Sequence, residues 1–444
     1  MVFALWAGAF GNDANAQPPT WVKISVSPTA EIRIRITALP KRQAWSFRNA
    51  HAGALGIAER VSEFKALDEN GGEISVSRIA TGEYRSHADV PTITYLVKLP
   101  PPSPADVAHV SWLVDDSGVL MLADLLPEQT SHALVTFSLP AGWSSQTAGD
   151  ADQHGQYLFK EPDEAIFLVG RSQRKQWKPV NKNWLASVVA GKWAFKDETV
   201  SKVAAEVFQK YLALTGFTLR GPSAVLIAPL PVTTGSVKWR AETRGPTVLL
   251  LMDPSADSAN WENQLGVIFT HELLHLWVPN SLSLQGDYDW FFEGFTLYTA
   301  LVTALQLKFI NFDEYVATLT RVYDSYLSRP DEHSLLDASE RRWTGGKSAV
   351  YDKGMLVAVL YDLAIRKDSA GKKWLGSIYQ ELFARPFTEP VTQLANGNDV
   401  IIKLLSLTPS GADLAKSYIE GQRELDLKPL LADRKQLLKS LYYK

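Results

Sequence analysis

Three ionisable residues crowd one turn of an otherwise apolar stretch. Residues 270–277 read Thr-His-Glu-Leu-Leu-His-Leu-Trp, with His271 and His275 four apart and Glu272 between them. On a helix, side chains four apart stack on one face, the separation needed for two imidazoles to clamp one zinc ion. Glu272 falls about 100° round from His271, near enough to take a proton from an activated water without being a ligand. The neighbours Val267, Ile268, Phe269, Leu273, Leu274, Leu276 and Trp277 are apolar nearly all the way round, the pattern of a buried helix, where an unpartnered charge is costly. H-E-x-x-H is a recognised zinc pattern; its bland alternative is a His–Glu pair satisfied inside the core.

A third ligand decides between them. Residues 290–298 place Glu293 in an aromatic setting, eighteen positions after His275. Alone it reads as an ordinary helix-start glutamate favouring the macrodipole. With the histidines it completes the three protein ligands and open fourth position of a catalytic zinc. The chain contains no cysteine, which excludes disulfides, thiolate zinc sites, iron–sulfur clusters and a cysteine nucleophile, so any metal must be held by His, Asp or Glu. One zinc ion is expected, on His271, His275 and Glu293. Of the eight histidines the other six, His51, His87, His109, His132, His154 and His333, are set aside. Asn280, Asp287 and Asp289 are candidate partners for the ring nitrogens that the metal leaves free.

The elements that must carry this cluster change period along the chain. From 21 to 139 the period is two, as in Glu31-Ile32-Arg33-Ile34-Arg35-Ile36-Thr37, which predicts an antiparallel β region buried on one face. The proline run at 100–104 marks a connection, and the polar stretch 144–156 reads as a second one. Beyond 159 the period lengthens. Val200, Val203, Ala204, Val207, Phe208, Tyr211 and Leu212 define one helical face ending near Gly216, strands are expected at 224–229 and 247–252, and helices at 258–277, 293–309, 312–327, 347–366, 374–384 and 412–419.

These residues resemble a family. His-Glu-x-x-His with a downstream Glu in W-x-x-E-G-x-T-x-Y is similar to the gluzincin metallopeptidases, specifically the glycyl aminopeptidase family and its relative, the aminopeptidase N family. The run 275–280 is similar to the H-x-W-x-G-N of the aminopeptidase N group, and Tyr351-Asp352-Lys353-Gly354 to the Y-x-K-G of both. Residues 334–337, 360–366 and 412–421 resemble the glycyl aminopeptidase pattern, so the likeness runs from about 160 to 425. It implies a multidomain α+β chain: an N-terminal antiparallel β-sandwich-like domain (17–155), a thermolysin-like mixed α/β to helical zinc-peptidase domain (156–390) and a C-terminal helical segment (391–444).

The resemblance also implies roles. Tyr351, whose ordinary reading is a core tyrosine with a satisfied hydroxyl, would donate to the oxyanion on the scissile carbonyl. Both families carry a glycine-rich strand edge whose Glu holds the substrate's α-amino group. The counterpart here is Trp239-Arg240-Ala241-Glu242, with bulky residues in place of glycines that elsewhere let a peptide approach. Glu242 is therefore either an amino-terminus anchor or an ion-pair partner of Arg240 or Arg244. The expected activity is a zinc-dependent metallopeptidase, an aminopeptidase, with Glu272 as general base. An endopeptidase with the same core, an esterase, and a non-catalytic zinc-containing binding protein are the alternatives.

The formal charge of −3 and the absence of a basic run predict no nucleic-acid partner, and no apolar run approaches the roughly 20 residues of a membrane span. Val2 to Phe10 followed by Ala14-Asn15-Ala16 resembles a signal peptide over 1–16, truncated because no Lys or Arg precedes Lys23. Export to a periplasm or beyond is the expectation, a cytoplasmic protein if this segment is not a signal. The peptide-binding PDZ module common in glycyl aminopeptidases is not expected before Lys444.

Overall fold

The computed structural model describes residues 19–441 except 28, 232–237, 256–259, 330–332 and 386–393; the leader expected at 1–16 lies outside the described residues. Period-two segments become strands as expected. The strands are β1 (Thr20–Val26), β2 (Glu31–Ser46), the small hairpin β3 (Ala50–His51) and β4 (Ala54–Leu55), then β5 (Val61–Leu67), β6 (Glu73–Ile74), β7 (Val76–Ala80), β8 (Glu83–Lys98), β9 (Trp112–Val114), β10 (Ser117–Met121), β11 (Ala133–Ser138), β12 (Ser144–Gln146), β13 (Gln156–Phe159) and β14 (Ile166–Gly170). One sheet runs β13-β11-β1-β2-β8-β5-β6, with β7 paired to β8. Ile32, Ile34 and Ile36 point into its core. The sheet is not wholly antiparallel: β1 and β11 pair in parallel, Thr20 opposite Ala133. The chain leaves for a second sheet at β9 and β10 before returning, and such a long crossover permits a parallel neighbour. The stretch 144–156, read as a connection, contains β12, which pairs with β14.

That second sheet, β12-β14-β10-β9, is a middle layer. Leu113, Leu120, Phe167 and Val169 join the core beneath the first sheet. Their alternates Trp112, Val119, Met121, Ile166 and Leu168 pack the other way, against a third sheet. A strand apolar on both faces reads as a continuous hydrophobic run, as β14 does. The third sheet comprises β15 (Arg174–Val180), β16 (Asn183–Val189), β17 (Ser223–Pro229), β18 (Trp239–Arg244) and β19 (Thr247–Met252) in the order β15-β16-β17-β19-β18. Its centre is parallel and both edges antiparallel, and among the described residues β18 pairs only with β19. Val225, Ile227, Val248, Leu250 and Met252 turn toward the helices.

The helical layer contains α1 (Asp197–Thr215), α2 (Trp261–Glu272), α3 (Thr296–Gln306), α4 (Phe312–Ser328), α5 (Leu335–Glu340), α6 (Gly354–Asp368) and α7 (Gly376–Phe383). The apolar face of α1 is the one predicted, and Gly216 ends the helix at φ 67°. Asn311 and Glu314 cap α4 reciprocally. Fully buried Asp362 on α6 accepts from Tyr298 Oη (2.7 Å), Arg366 Nε (2.9 Å) and the Leu375 N–H (2.7 Å), tying α3 and α7 to α6. Tyr361 donates to the Gly411 carbonyl at 2.6 Å, holding the later helical segment Pro409–Leu414. Among the described residues no helix is long and apolar enough to cross a membrane.

Two wide helical turns, Trp290–Phe295 ahead of α3 and Ala349–Lys353 ahead of α6, replace the regular helix starts expected from the sequence. Wide turns of this kind concentrate at functional sites because they re-aim a side chain. Here they pack backbone to backbone. A Cβ added to Gly294 would lie 2.6 Å from Gly354 Cα, and one added to Gly354 would lie 3.1 Å from Gly294 Cα. Gly294→Val is therefore expected to destabilise the fold by roughly 1–3 kcal/mol, as overpacking does. Urea denaturation measures this, and a midpoint unchanged from wild type would show that the turns part without strain.

Candidate active site

The α-helix carrying the motif is shorter than 258–277. It starts at Trp261, capped by Asn260 accepting from the Asn263 N–H, and ends at Glu272. Residues Leu273–Leu276 form a tighter turn, so His275 stands on that turn rather than on the helix. Val267 is 41% exposed, so the helix is buried on most sides but not all. Even so the rings converge. His271 Nε2 and His275 Nε2 are 3.2 Å apart, and each lies 3.6 Å from Glu293 Oε2. Bond lengths of about 2.0–2.2 Å to a tetrahedral zinc require neighbouring ligand atoms roughly 3.3–3.6 Å apart, so the three donors fit that ion. Among the described residues this is the one His/Cys/Asp/Glu group with metal-ligand spacing.

The supporting bonds differ from those the sequence offered. His275 Nδ1 lies 2.9 Å from the Val278 carbonyl, which makes it the N–H nitrogen and leaves Nε2 free to ligate. His271 Nδ1 is buried without a hydrogen-bond partner. None of Asn280, Asp287 and Asp289 serves either ring. Asn280 donates to the Gly245 carbonyl (3.1 Å), Asp287 offers its carbonyl to Asn398 (3.1 Å), and Asp289 accepts from Arg342 (2.5 Å). Trp277 and Trp290 pack around the site as expected, their indoles donating to the Phe217 carbonyl and to Asn398.

Arg342, on the turn Arg342–Thr344, was invisible to the sequence reading: it is one arginine in a polar stretch with no spacing to flag it. Its Nη2 donates to Glu293 Oε1 and to the Tyr351 oxygen, each at 2.7 Å. Glu293 thus spends one oxygen on Arg342 and turns the other to the histidines. Because Arg342 donates to the Tyr351 oxygen, the phenolic proton is left to point elsewhere. Burial holds the Tyr351 hydroxyl well above its ordinary range, so it stays a donor.

Glu272 is buried and accepts from Thr243 Oγ1 at 2.9 Å. Burial raises its carboxyl to about 7, where it can both take and give a proton near neutrality. Burial opposes charge on His275 too, but the Glu293 carboxylate outweighs it and raises His275 to about 9. Burial and His275 depress His271 to about 3. Burial would raise Glu293, yet His275, Arg342 and His271 bring it to about 2.

A cavity of about 250 Å³ opens above these groups, lined by Glu272, Glu293, Tyr351, Arg342 and Glu242 among others. Two of the discarded histidines are also there: His51 from the β3–β4 hairpin and His109 from the loop before β9. His109 Nδ1 meets Glu242 Oε2 at 2.6 Å, Arg244 Nε donates to Glu242 Oε1 at 2.9 Å, and His51 Nε2 lies 3.5 Å from Oε1. Of the two partners proposed for Glu242, Arg244 is the one found; Arg240 turns to the Pro104 carbonyl (3.2 Å). Trp239 and Arg240 do not line the cavity, so the bulky strand edge leaves it open. No sequence signal linked His51 or His109 to Glu242.

No family model matches the chain, and no curated protein matches it by sequence. Solved structures do. The architecture, three sheets and a helical layer in a multidomain α+β chain, is that of the aminopeptidase N family and of M1 zinc metallopeptidases. An aminopeptidase N family protein from Idiomarina loihiensis superposes with a TM-score of 0.80 at 17% identity, over 93% of this chain and 78% of that one. An M1 zinc metallopeptidase from Deinococcus radiodurans superposes at 0.59 and 15% identity, over 92% of this chain and 94% of that one. A mutant of the Deinococcus enzyme bound to a Tyr-Ser-Ala substrate gives 0.58 at 14%, over 92% and 94%. At these identities the likeness is one of fold.

Zinc added to metal-free protein should raise Tm. It should also release about one proton at pH 7.5, because His275, held near 9 in the metal-free site, must lose its proton to ligate. Calorimetry in buffers of different ionisation enthalpy reads that proton. Arg342→Gln should weaken zinc binding roughly 10–100-fold by freeing Glu293 to rotate; unchanged affinity would remove Arg342 from the site's support.

Proposed function

We propose that the protein is a zinc-dependent metallopeptidase. The observation that carries this reading is the convergence of His271, His275 and Glu293 at tetrahedral-ligand spacing beneath a cavity that also receives Glu272 and Tyr351. A zinc ion there would polarise the scissile carbonyl and make water acidic enough to attack it near neutral pH. The chain's own groups supply the rest. Glu272, steadied by Thr243, takes the proton of the attacking water and returns it to the leaving amine. Tyr351 donates its phenolic proton to the oxyanion, its own oxygen held by Arg342. Arg342 also fixes the oxygen of Glu293 that does not face the histidines.

The fold shared with aminopeptidase N family proteins supports action on peptides, and the sequence resemblance points to the amino end of the substrate. Glu242 lines the cavity where such an end would sit. A structural zinc is disfavoured because it would be closed by a fourth protein ligand, and among the described residues no fourth donor joins the three. The expected outcomes separate binding from chemistry. Glu272→Gln should retain zinc and lose at least about 1,000-fold in kcat, and Tyr351→Phe should lose about 100–1,000-fold in kcat with little change in KM. Metal analysis beside peptide hydrolysis checks both. Full turnover by Glu272→Gln would overturn the mechanism.

A further inference from the structure

Glu242 faces the cavity but its charge is already spent. Arg244 pairs with one oxygen at 2.9 Å, His109 holds the other at 2.6 Å, and His51 adds a ring nitrogen at 3.5 Å. The Arg244 guanidinium is itself fixed, donating to the His109 carbonyl at 3.0 Å, so it cannot swing away cheaply. A free α-ammonium arriving at Glu242 would meet a neutralised carboxylate with a guanidinium beside it. What remains on Glu242 is lone-pair capacity, which suits a neutral amide N–H rather than a second cation.

A second cavity lies further along the same strand edge. Among the described residues β18 pairs only with β19, and an edge strand of this kind is where an extended peptide adds. Ala241, Glu242 and Thr243 of this edge line the catalytic cavity. The residues that follow, Gly245, Pro246 and Thr247, line a second cavity of about 740 Å³. Asn280 borders both and donates to the Gly245 carbonyl at 3.1 Å. A site that only received a chain end would need no such room beyond its anchor.

We infer, resting on the peptidase reading above, that the substrate is a peptide chain that runs past Glu242 along β18 toward the second cavity, so that the bond cut is internal and the residue at Glu242 is amide-linked.

Zinc-loaded Glu272→Gln protein tests this by calorimetry with an eight-residue peptide in free and N-acetylated forms. The two should bind within about threefold of each other, and removing two residues from the amino side of the acetylated form should weaken binding at least about tenfold. A free form bound at least about 30-fold tighter, the gain of a charge-assisted bond to an unpaired carboxylate, would overturn the inference, as would indifference to the shortening. Mass spectrometry of wild-type digests should show internal products from the acetylated peptide. Stepwise release of single residues from the free form alone would overturn the inference and leave the peptidase reading standing. Zinc-loaded protein that neither binds nor cuts either form would overturn the peptidase reading, and the inference with it.

Discussion

The close approach of Gly294 and Gly354 is the constraint on which the site depends. Gly294 lies within one wide turn and Gly354 directly follows the other, and the two turns present Glu293 and Tyr351. With no side chain at either position, the turns come near enough for one nitrogen of Arg342 to reach the Glu293 carboxylate and the Tyr351 oxygen together. A single methyl group would force Gly354 and the Glu293 turn apart. Glu293 and Tyr351 are thus spaced by backbone contact, and a side-chain hydrogen bond only refines what that contact sets.

Charge explains why such a site would seek a cation. Glu293, Glu272 and Asp289 converge with Arg342 and the imidazoles in a buried setting. Without metal, the carboxylates compete for protons with His275, which the field of Glu293 keeps protonated. A dication replaces that proton with a charge that all three donors can share. Thr243, on the edge strand, donates to Glu272, so this carboxylate is held by the sheet as well as by its own helix.

The His271, Glu272, His275 and Glu293 cluster was legible because its members lie at short, fixed spacings on a helix, the turn that continues it and the start of the next helical segment. The strands at 223–229 and 247–252 were legible because continuous apolar runs announce burial on both faces. Arg342, His51 and His109 were not. They arrive from a turn and two loops, and His109 meets Glu242 across a sequence separation of 133 residues, where periodicity says nothing. The ring partner of His275 was missed for another reason: it is the Val278 backbone carbonyl, and an inventory of side chains does not contain it. The parallel pairing of β1 with β11 was hidden because strand propensity does not report which neighbour a strand will choose.

The middle sheet has one more consequence. Because β9, β10 and β14 bury one face against each flanking sheet, the loop and hairpin that deliver His109 and His51 are anchored in the amino-terminal half, while His271, Glu272, His275 and Glu293 lie wholly in the rest of the chain. One wall of the cavity is therefore written in a different stretch of sequence from Glu242 and the proposed metal ligands. Change in the amino-terminal half can alter one wall of the cleft while Glu242 and the residues proposed to hold metal and carry the reaction stay as they are.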